Sequence, residues 1–149
     1  MTLKQKVYNH YLQVINDKIA GLQKVLAGLK ESGANETKST AGDKHETALA
    51  MLQIEQANVR VQLKEAQQQQ AVFEKINPEL SLAIIVPGSL IKTNTGYFFL
   101  SIAAGKAVIE GHKVMALSPQ SPLGQQLLQT IKGGIVTINT ITYTIESIE

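Results

Sequence analysis

Apolar residues recur at helical spacing along the first part of the chain. Over residues 2–29 they form two rows, and each row repeats every seven residues. The rows consist of Tyr8, Leu12, Ile15, Ile19, Leu22, Leu26 and Leu29. Paired rows of this kind form the narrow seam of a coiled-coil helix. The spacing therefore predicts a helix of about 28 residues, roughly 42 Å long. We expect it to end near Gly33, since glycine is favoured at helix C-termini.

A second heptad pattern covers residues 43–76. Its rows contain Leu49, Leu52, Gln56, Val59, Leu63, Ala66, Gln70 and Phe73. Residues 35–42, between the two patterns, are rich in Ser, Thr, Gly and Asn, which compete with helix formation and predict a loop. Two heptad helices joined by a short loop favour an antiparallel coiled coil with each other. Association of the seams between chains is the alternative.

After Pro78 the pattern changes to short runs of β-branched and aromatic residues, which are typical of strands. The predicted strands are residues 83–86, 89–93, 97–102, 113–117, 135–139 and 141–148. Ser121 and Pro122 are expected to cap and open a short helix. The fold class is therefore α+β. We predict an antiparallel coiled-coil hairpin over residues 1–77, a linker over residues 78–87, and a small antiparallel sheet domain with one short helix over residues 88–149.

Composition excludes several kinds of chemistry. The chain has 149 residues, a formal net charge of +2 and no cysteine. The absence of cysteine removes disulfides, thiolate zinc sites and cysteine nucleophiles. His10 and His112 have no partner at metal-ligand spacing, so a zinc site is not expected. No segment approaches the roughly 20 apolar residues that a membrane span needs. Because the N-terminus does not look like an export signal, we expect a cytoplasmic protein without a membrane partner.

Two carboxylates lie in the polar turn, residues 41–47, between the two helical patterns. Asp43 and Glu46 are three residues apart, so they share one face of the first turn if Asp43 opens the second helix. Carboxylate oxygens are ligands that Mg²⁺ prefers. The same spacing also fits a capping box, in which Asp43 accepts from backbone N–H groups and Glu46 reaches back. The residues alone leave both interpretations open.

Two motifs give the chain a resemblance to the bacterial Gre transcript-cleavage factors, which bind RNA polymerase. Residues 42–46, Gly-Asp-Lys-His-Glu, are similar to the tip motif of that family. Residues 117–128, Leu-Ser-Pro-Gln-Ser-Pro-Leu-Gly-Gln-Gln-Leu-Leu, resemble its Ser-Pro-(Ile/Leu)-Gly-x-x-Leu-Leu stretch. In the family, the second motif belongs to a C-terminal domain with an FKBP-like fold. The resemblance covers the whole architecture and implies an FKBP-like domain over residues 88–149.

The resemblance also implies a mechanism. The C-terminal domain would dock at the rim of the polymerase secondary channel, and the coiled coil would enter the channel. There Asp43 and Glu46 would help to hold the second Mg²⁺ of a backtracked polymerase, which then cuts its own transcript. Two metal ions about 3.5 to 4 Å apart clamp the attacking and leaving oxygens in such reactions. The protein would have no cofactor of its own and would not be an enzyme alone. The docking residues implied are Ser118, Pro119, Ser121, Pro122, Leu123 and Gly124.

Partners and alternatives follow from the same resemblance. The nascent RNA 3′ end would lie near the tip, and the protein is expected to be a monomer. Residues 1–30 contain five lysines and one acidic residue, and these lysines either line the path of RNA or form a solvated face. Two alternatives remain open for the function. One is a secondary-channel modulator that does not stimulate cleavage, and the other is a coiled-coil scaffold unrelated to transcription.

Overall fold

A computed structural model describes residues 1–37 and 43–149, without the side chains of residues 36, 37 and 43–45. The elements are α1 (Leu3–Thr37), α2 (Asp43–Glu74), β1 (Leu90–Thr93), β2 (Gly96–Leu100), β3 (Gly105–Ile109), β4 (His112–Leu117), α3 (Pro122–Leu127), β5 (Ile135–Ile138) and β6 (Ile141–Ile148). Contacts divide the chain into two units. One combines Met1–Gln13 with Ala71–Glu149, and the other is Val14–Gln70. The predicted boundaries after residues 77 and 87 stay a prediction.

The Val14–Gln70 unit is an antiparallel helix pair. The side-chain amide of Gln70 donates to Asn16 Oδ1 at 3.0 Å, and that of Gln56 donates to the Leu29 carbonyl at 3.3 Å. Asn16, in the first half of α1, thus contacts a residue late in α2, whereas Leu29, farther along α1, contacts a residue earlier in α2. The two helices are therefore antiparallel. The predicted seam residues of this unit are buried or half-buried. The heptad pattern therefore predicted both the pairing and the face that pairs.

The first helix is longer than its sequence predicts. Helix α1 continues to Thr37, so the prediction that it ends near Gly33 is wrong. The described part of the predicted loop, residues 35–37, is helical, whereas residues 38–42 lie outside the described residues. A glycine costs a helix only about 1 kcal/mol relative to alanine. A Cβ atom added at Gly33 would lie 3.6 Å from Nε2 of Gln56, so this turn of α1 is within packing distance of α2.

The six strands form one mixed sheet in the order β3-β4-β2-β1-β6-β5. Most neighbours are antiparallel, but β2 and β4 are parallel, so the prediction of an antiparallel sheet is wrong at this pair. The cause is β3, which the sequence pattern did not reveal. It forms an antiparallel hairpin with β4 through Glu110 and Gly111, both at positive φ, as tight two-residue hairpins require. The chain reaches the edge first as β3 and then returns beside β2 in the same direction.

The predicted strand at residues 83–86 is reduced to one isolated antiparallel bridge, between Ile84 and Ile131. The other predicted strands are present, with ends shifted by up to two residues. Ser121 and Pro122 cap and open α3 as expected. The chain is thus α+β, with a long helical region followed by a mixed sheet that carries one short helix.

Side chains on the two faces of the sheet have different partners. Phe98, Leu100 and Leu117 join the apolar cluster that includes Leu127 of α3. The other face is represented by Phe99, whose ring lies 6.3 Å from that of Tyr11 in α1 and 5.9 Å from that of Phe73 in α2. Neighbouring residues of a strand point to opposite faces. The sheet is therefore covered by α3 on one face and by the Met1–Gln13 and Ala71–Glu74 helix ends on the other.

Tyr11 ties α1 to the sheet, and its removal has a measurable cost. Its side chain is only 1% exposed, and its hydroxyl donates to the Gly105 carbonyl at 2.8 Å. We expect Tyr11→Phe to lower the free energy of unfolding by about 1 kcal/mol, because the hydrogen bond of the Tyr11 hydroxyl is lost. Urea denaturation measures this change. Tyr97→Phe is the control, since the Tyr97 hydroxyl makes no hydrogen bond to the described residues.

The loss of stability caused by Tyr11→Phe should also depend on pH. Burial raises the pKa of the Tyr11 hydroxyl. A raised folded-state pKa gives stability that is present below the unfolded pKa of about 10 and is lost as pH rises through the folded value. Tyr11→Phe has no such loss. The difference in the free energy of unfolding between wild type and Tyr11→Phe should therefore become smaller above about pH 10. A difference that stays constant with pH would contradict the assigned effect of burial.

Candidate functional site

Of the two predicted metal-assisting carboxylates, the structure describes one side chain. Glu46 is exposed in the first turn of α2, which begins at Asp43. The Asp43 side chain and residues 41 and 42 of the predicted tip motif lie outside the described residues. The two interpretations of Asp43, as a helix cap or as a metal ligand, therefore both stay predictions. The described residues contain no group of three or more His, Asp or Glu side chains that could hold a metal ion by themselves.

The lysines of α1 do not form one continuous basic face. Lys4 is 6% exposed, and its ammonium group donates to the Leu80 carbonyl. Burial lowers the pKa of Lys4, and the nearby Glu149 carboxylate partly offsets that effect. Lys6 forms an ion pair with Glu110, with 3.4 Å between Nζ and Oε1. The remaining lysines predicted to line an RNA path, Lys18, Lys24 and Lys30, are exposed.

The Ser-Pro motif forms the junction between β4 and α3. The Ser121 hydroxyl accepts from the Gly124 N–H at 3.1 Å and donates to the Ser118 carbonyl at 2.6 Å. The Ser118 hydroxyl accepts from the Gln120 N–H at 3.1 Å. Pro122 occupies the first turn, where its missing N–H costs nothing. These bonds fix the path of the chain from the strand into the helix.

Gly124 lies at the closest approach in this junction. A Cβ atom added there would lie 2.1 Å from the Ser118 carbonyl oxygen and 2.8 Å from Ser121 Oγ. Neither distance is compatible with a side chain. The geometry explains why the motif has glycine at this position, three residues after the serine that caps the helix.

A cavity of about 390 Å³ lies beside the motif. Leu123 and Pro122 line it from α3, and Ala103 and Met115 line it from the sheet side. Leu123 is half-buried and also packs against the core, whereas Pro122 is exposed. Of the predicted docking residues, Gly124 is buried and acts through the backbone. Pro122 and Leu123 contribute apolar surface to this cavity, and Pro119 is half-buried.

A second groove was not predicted from the sequence. It has a volume of about 820 Å³ and lies on the part of the α3 face that α3 leaves uncovered. We call it the sheet groove and define it by Phe98, Lys106, Val108, Lys113, Met115 and Tyr143. The sequence did not predict that Lys106 and Lys113 lie close together. Strand β3 was not predicted, so its pairing with β4 could not be inferred.

Comparisons with known proteins give no independent assignment. No protein-family model, curated protein or solved structure matches the chain. None of the described helices has the length and apolar content needed to cross a membrane.

Proposed function

We propose that this protein is a transcription elongation factor of the Gre type, which binds RNA polymerase and stimulates transcript cleavage in backtracked complexes. Its sheet domain is proposed to be FKBP-like and to dock at the rim of the secondary channel. Its helix pair is proposed to enter the channel. The protein is proposed to act in the cytoplasm as a monomer. The nascent RNA 3′ end is expected to lie near residues 43–46.

The observation that carries the proposal is the Ser-Pro motif in its structural setting. A match of sequence letters alone would be weak support. Here Ser121 caps a helix of an α+β domain and Gly124 meets a backbone carbonyl that excludes any side chain. The serine at position 121 and the glycine at position 124 therefore each have a physical reason. This supports the resemblance at the part of the chain where the docking residues are expected.

The helix pair supports the second half of the proposal. Its two helices are antiparallel, and Glu46 is exposed at the start of α2. In a two-metal reaction, Mg²⁺ keeps several waters and needs only one or two protein carboxylates. The polymerase would supply the remaining ligands. In this proposal Asp43 and Glu46 would help to hold the second metal ion and to orient the attacking water, and the protein would have no metal of its own.

A charge placed at the motif should weaken polymerase binding. Pro122→Glu adds an acid to exposed apolar surface, while a glutamate in the first turn remains favourable for α3. We expect binding to the cognate core polymerase, measured by fluorescence anisotropy, to weaken by about tenfold. Thr137→Glu places the same charge at an exposed position of β5 and is the matched control. Equal affinity of both variants and wild type would contradict docking through the motif.

Two other outcomes of these experiments would replace the proposal. A protein that binds polymerase without stimulating cleavage would be a non-cleaving modulator of the secondary channel. A protein that does not bind polymerase and forms a stable dimer through its heptad seams would be a coiled-coil scaffold. Sedimentation equilibrium of the full chain separates the second case, because the proposed factor is a monomer.

A further inference from the structure

The α3 face of the sheet is covered only in part. Leu100 and Leu117 are paired neighbours on β2 and β4, and both are buried in the cluster that contains Leu127 of α3. Helix α3 has six residues and is therefore only about 9 Å long. It cannot cover the whole face of a six-stranded sheet. The sheet groove lies over the adjacent rows, toward edge strand β3.

Strand register brings the groove residues onto one face. Met115 of β4 lies between Phe98 of β2 and Lys106 of β3, and all three form one row across the sheet. The next row pairs Lys113 with Val108. Directly paired residues of neighbouring strands project to the same side. Each of these two adjacent rows therefore places a lysine beside an apolar side chain.

The floor of the groove is apolar. The Phe98 ring packs edge-to-face against that of Tyr143, with 5.4 Å between centroids. Met115 is 37% exposed and Val108 is 70% exposed. The volume of about 820 Å³ is in the range of ligand sites, roughly 300 to 1,000 Å³. An uncovered apolar floor of this size can bury one or two large side chains of an occupant.

The rim carries one sign of charge. Lys106 and Lys113 are exposed, and neither forms an ion pair with the described part of the chain. No acidic side chain is among the residues that line the groove. A carboxylate in the occupant would therefore meet two cations without a competing acid. This complementarity selects an acidic ligand with apolar side chains.

We propose that the sheet groove binds an acidic peptide segment of a protein partner. Its apolar side chains would lie on Met115, Val108 and Phe98, and its carboxylates would approach Lys106 and Lys113. A nucleic acid fits less well, because the most exposed floor residues are aliphatic, whereas single strands bind by stacking on aromatic rings. A second copy of this chain is also less suited, since its net charge is +2. The inference is independent of the proposed function in transcription.

Three labelled peptides test the chemistry of the groove. The first alternates glutamate with leucine and phenylalanine, the second has lysine in place of glutamate, and the third has serine in place of the apolar residues. We expect the first to bind the full-length protein in fluorescence anisotropy, and the other two to bind at least about tenfold more weakly. If the first peptide does not bind, or binds no better than the others, the proposal is wrong.

Variants locate the binding site. Lys106→Glu combined with Lys113→Glu reverses the rim charge at exposed positions, and it should weaken binding of the first peptide by about tenfold or more. Lys132→Glu changes an exposed lysine outside the groove and should leave binding unchanged. Circular dichroism checks that each variant is folded. Equal binding by the double variant would overturn the assignment to the groove.

A last measurement separates a peptide partner from a second copy. Both the wild-type protein and the double lysine variant should sediment as monomers. If wild type is a dimer and the double variant is a monomer, the groove is a self-association surface and the proposal of a peptide partner fails.

Discussion

Replacing Asp43 by Asn together with Glu46 by Gln is expected to abolish most of the stimulated transcript cleavage while polymerase binding persists. Both changes keep the size of the side chain and remove its charge. Groups in the outer shell of metal sites contribute roughly 10- to 100-fold to affinity or activity, so loss of direct carboxylate ligands should lower the cleavage rate by about 100-fold or more. Rates of RNA shortening in a stalled complex measure the effect.

The same pair of changes distinguishes metal assistance from helix capping. Asn is as good an N-cap as Asp, and Gln can replace Glu in a capping box. A structural role would therefore survive the double change, whereas a metal-binding role would not. Glu55→Gln, at an exposed position farther along α2, is the matched control and should retain full activity. Unchanged cleavage by the double variant would contradict the assigned role of the two carboxylates.

Gly124→Ala is expected to cause a large loss of stability, although it adds only one methyl group. The added Cβ would lie 2.1 Å from the Ser118 carbonyl oxygen. That oxygen belongs to the backbone and accepts from both Ser121 N–H and Ser121 Oγ. It cannot move without breaking the cap of α3. Because overpacking typically costs 1 to 3 kcal/mol, we expect the free energy of unfolding to fall by about 3 kcal/mol.

Gly21→Ala provides the matched control for that loss. Gly21 lies within α1, and nothing lies within 4 Å of a Cβ atom added there. Alanine is better than glycine in a helix by about 1 kcal/mol, so this change should raise stability. Urea denaturation of both variants compares the same chemical change in opposite settings. A Gly124→Ala protein as stable as wild type would show that the junction accommodates a side chain.

The helices could be predicted because their signal is long and redundant. Each seam position repeats over several heptads, and burial follows the predicted rows from Ile15 to Ala66. The end of α1 could not be predicted, because the polar residues after Gly33 disfavour a helix only weakly. Glycine itself costs a helix only about 1 kcal/mol, and at Gly33 the helix lies within packing distance of Gln56, which is distant in sequence. Local preference thus fails where a tertiary contact decides.

The sheet shows the same limit. Strand β3 contains a glycine, a lysine and an alanine, which have low strand preference, and its pairing with β4 supplies what they lack. Without β3 the sequence predicted antiparallel neighbours only. The junction at Ser121 and Gly124 was predicted more accurately, because a capping serine followed by proline is a local signal. The sheet groove could not be predicted, since its residues come from four strands and meet only through the register of those strands.

The most direct test of the central claim is the length of the RNA in a stalled, backtracked complex of the cognate polymerase after addition of this protein. We predict that wild-type protein shortens labelled RNA from its 3′ end in the presence of Mg²⁺. Binding of the protein to the same complexes is measured in parallel. Bound protein that leaves the RNA at full length would contradict transcript cleavage as its function.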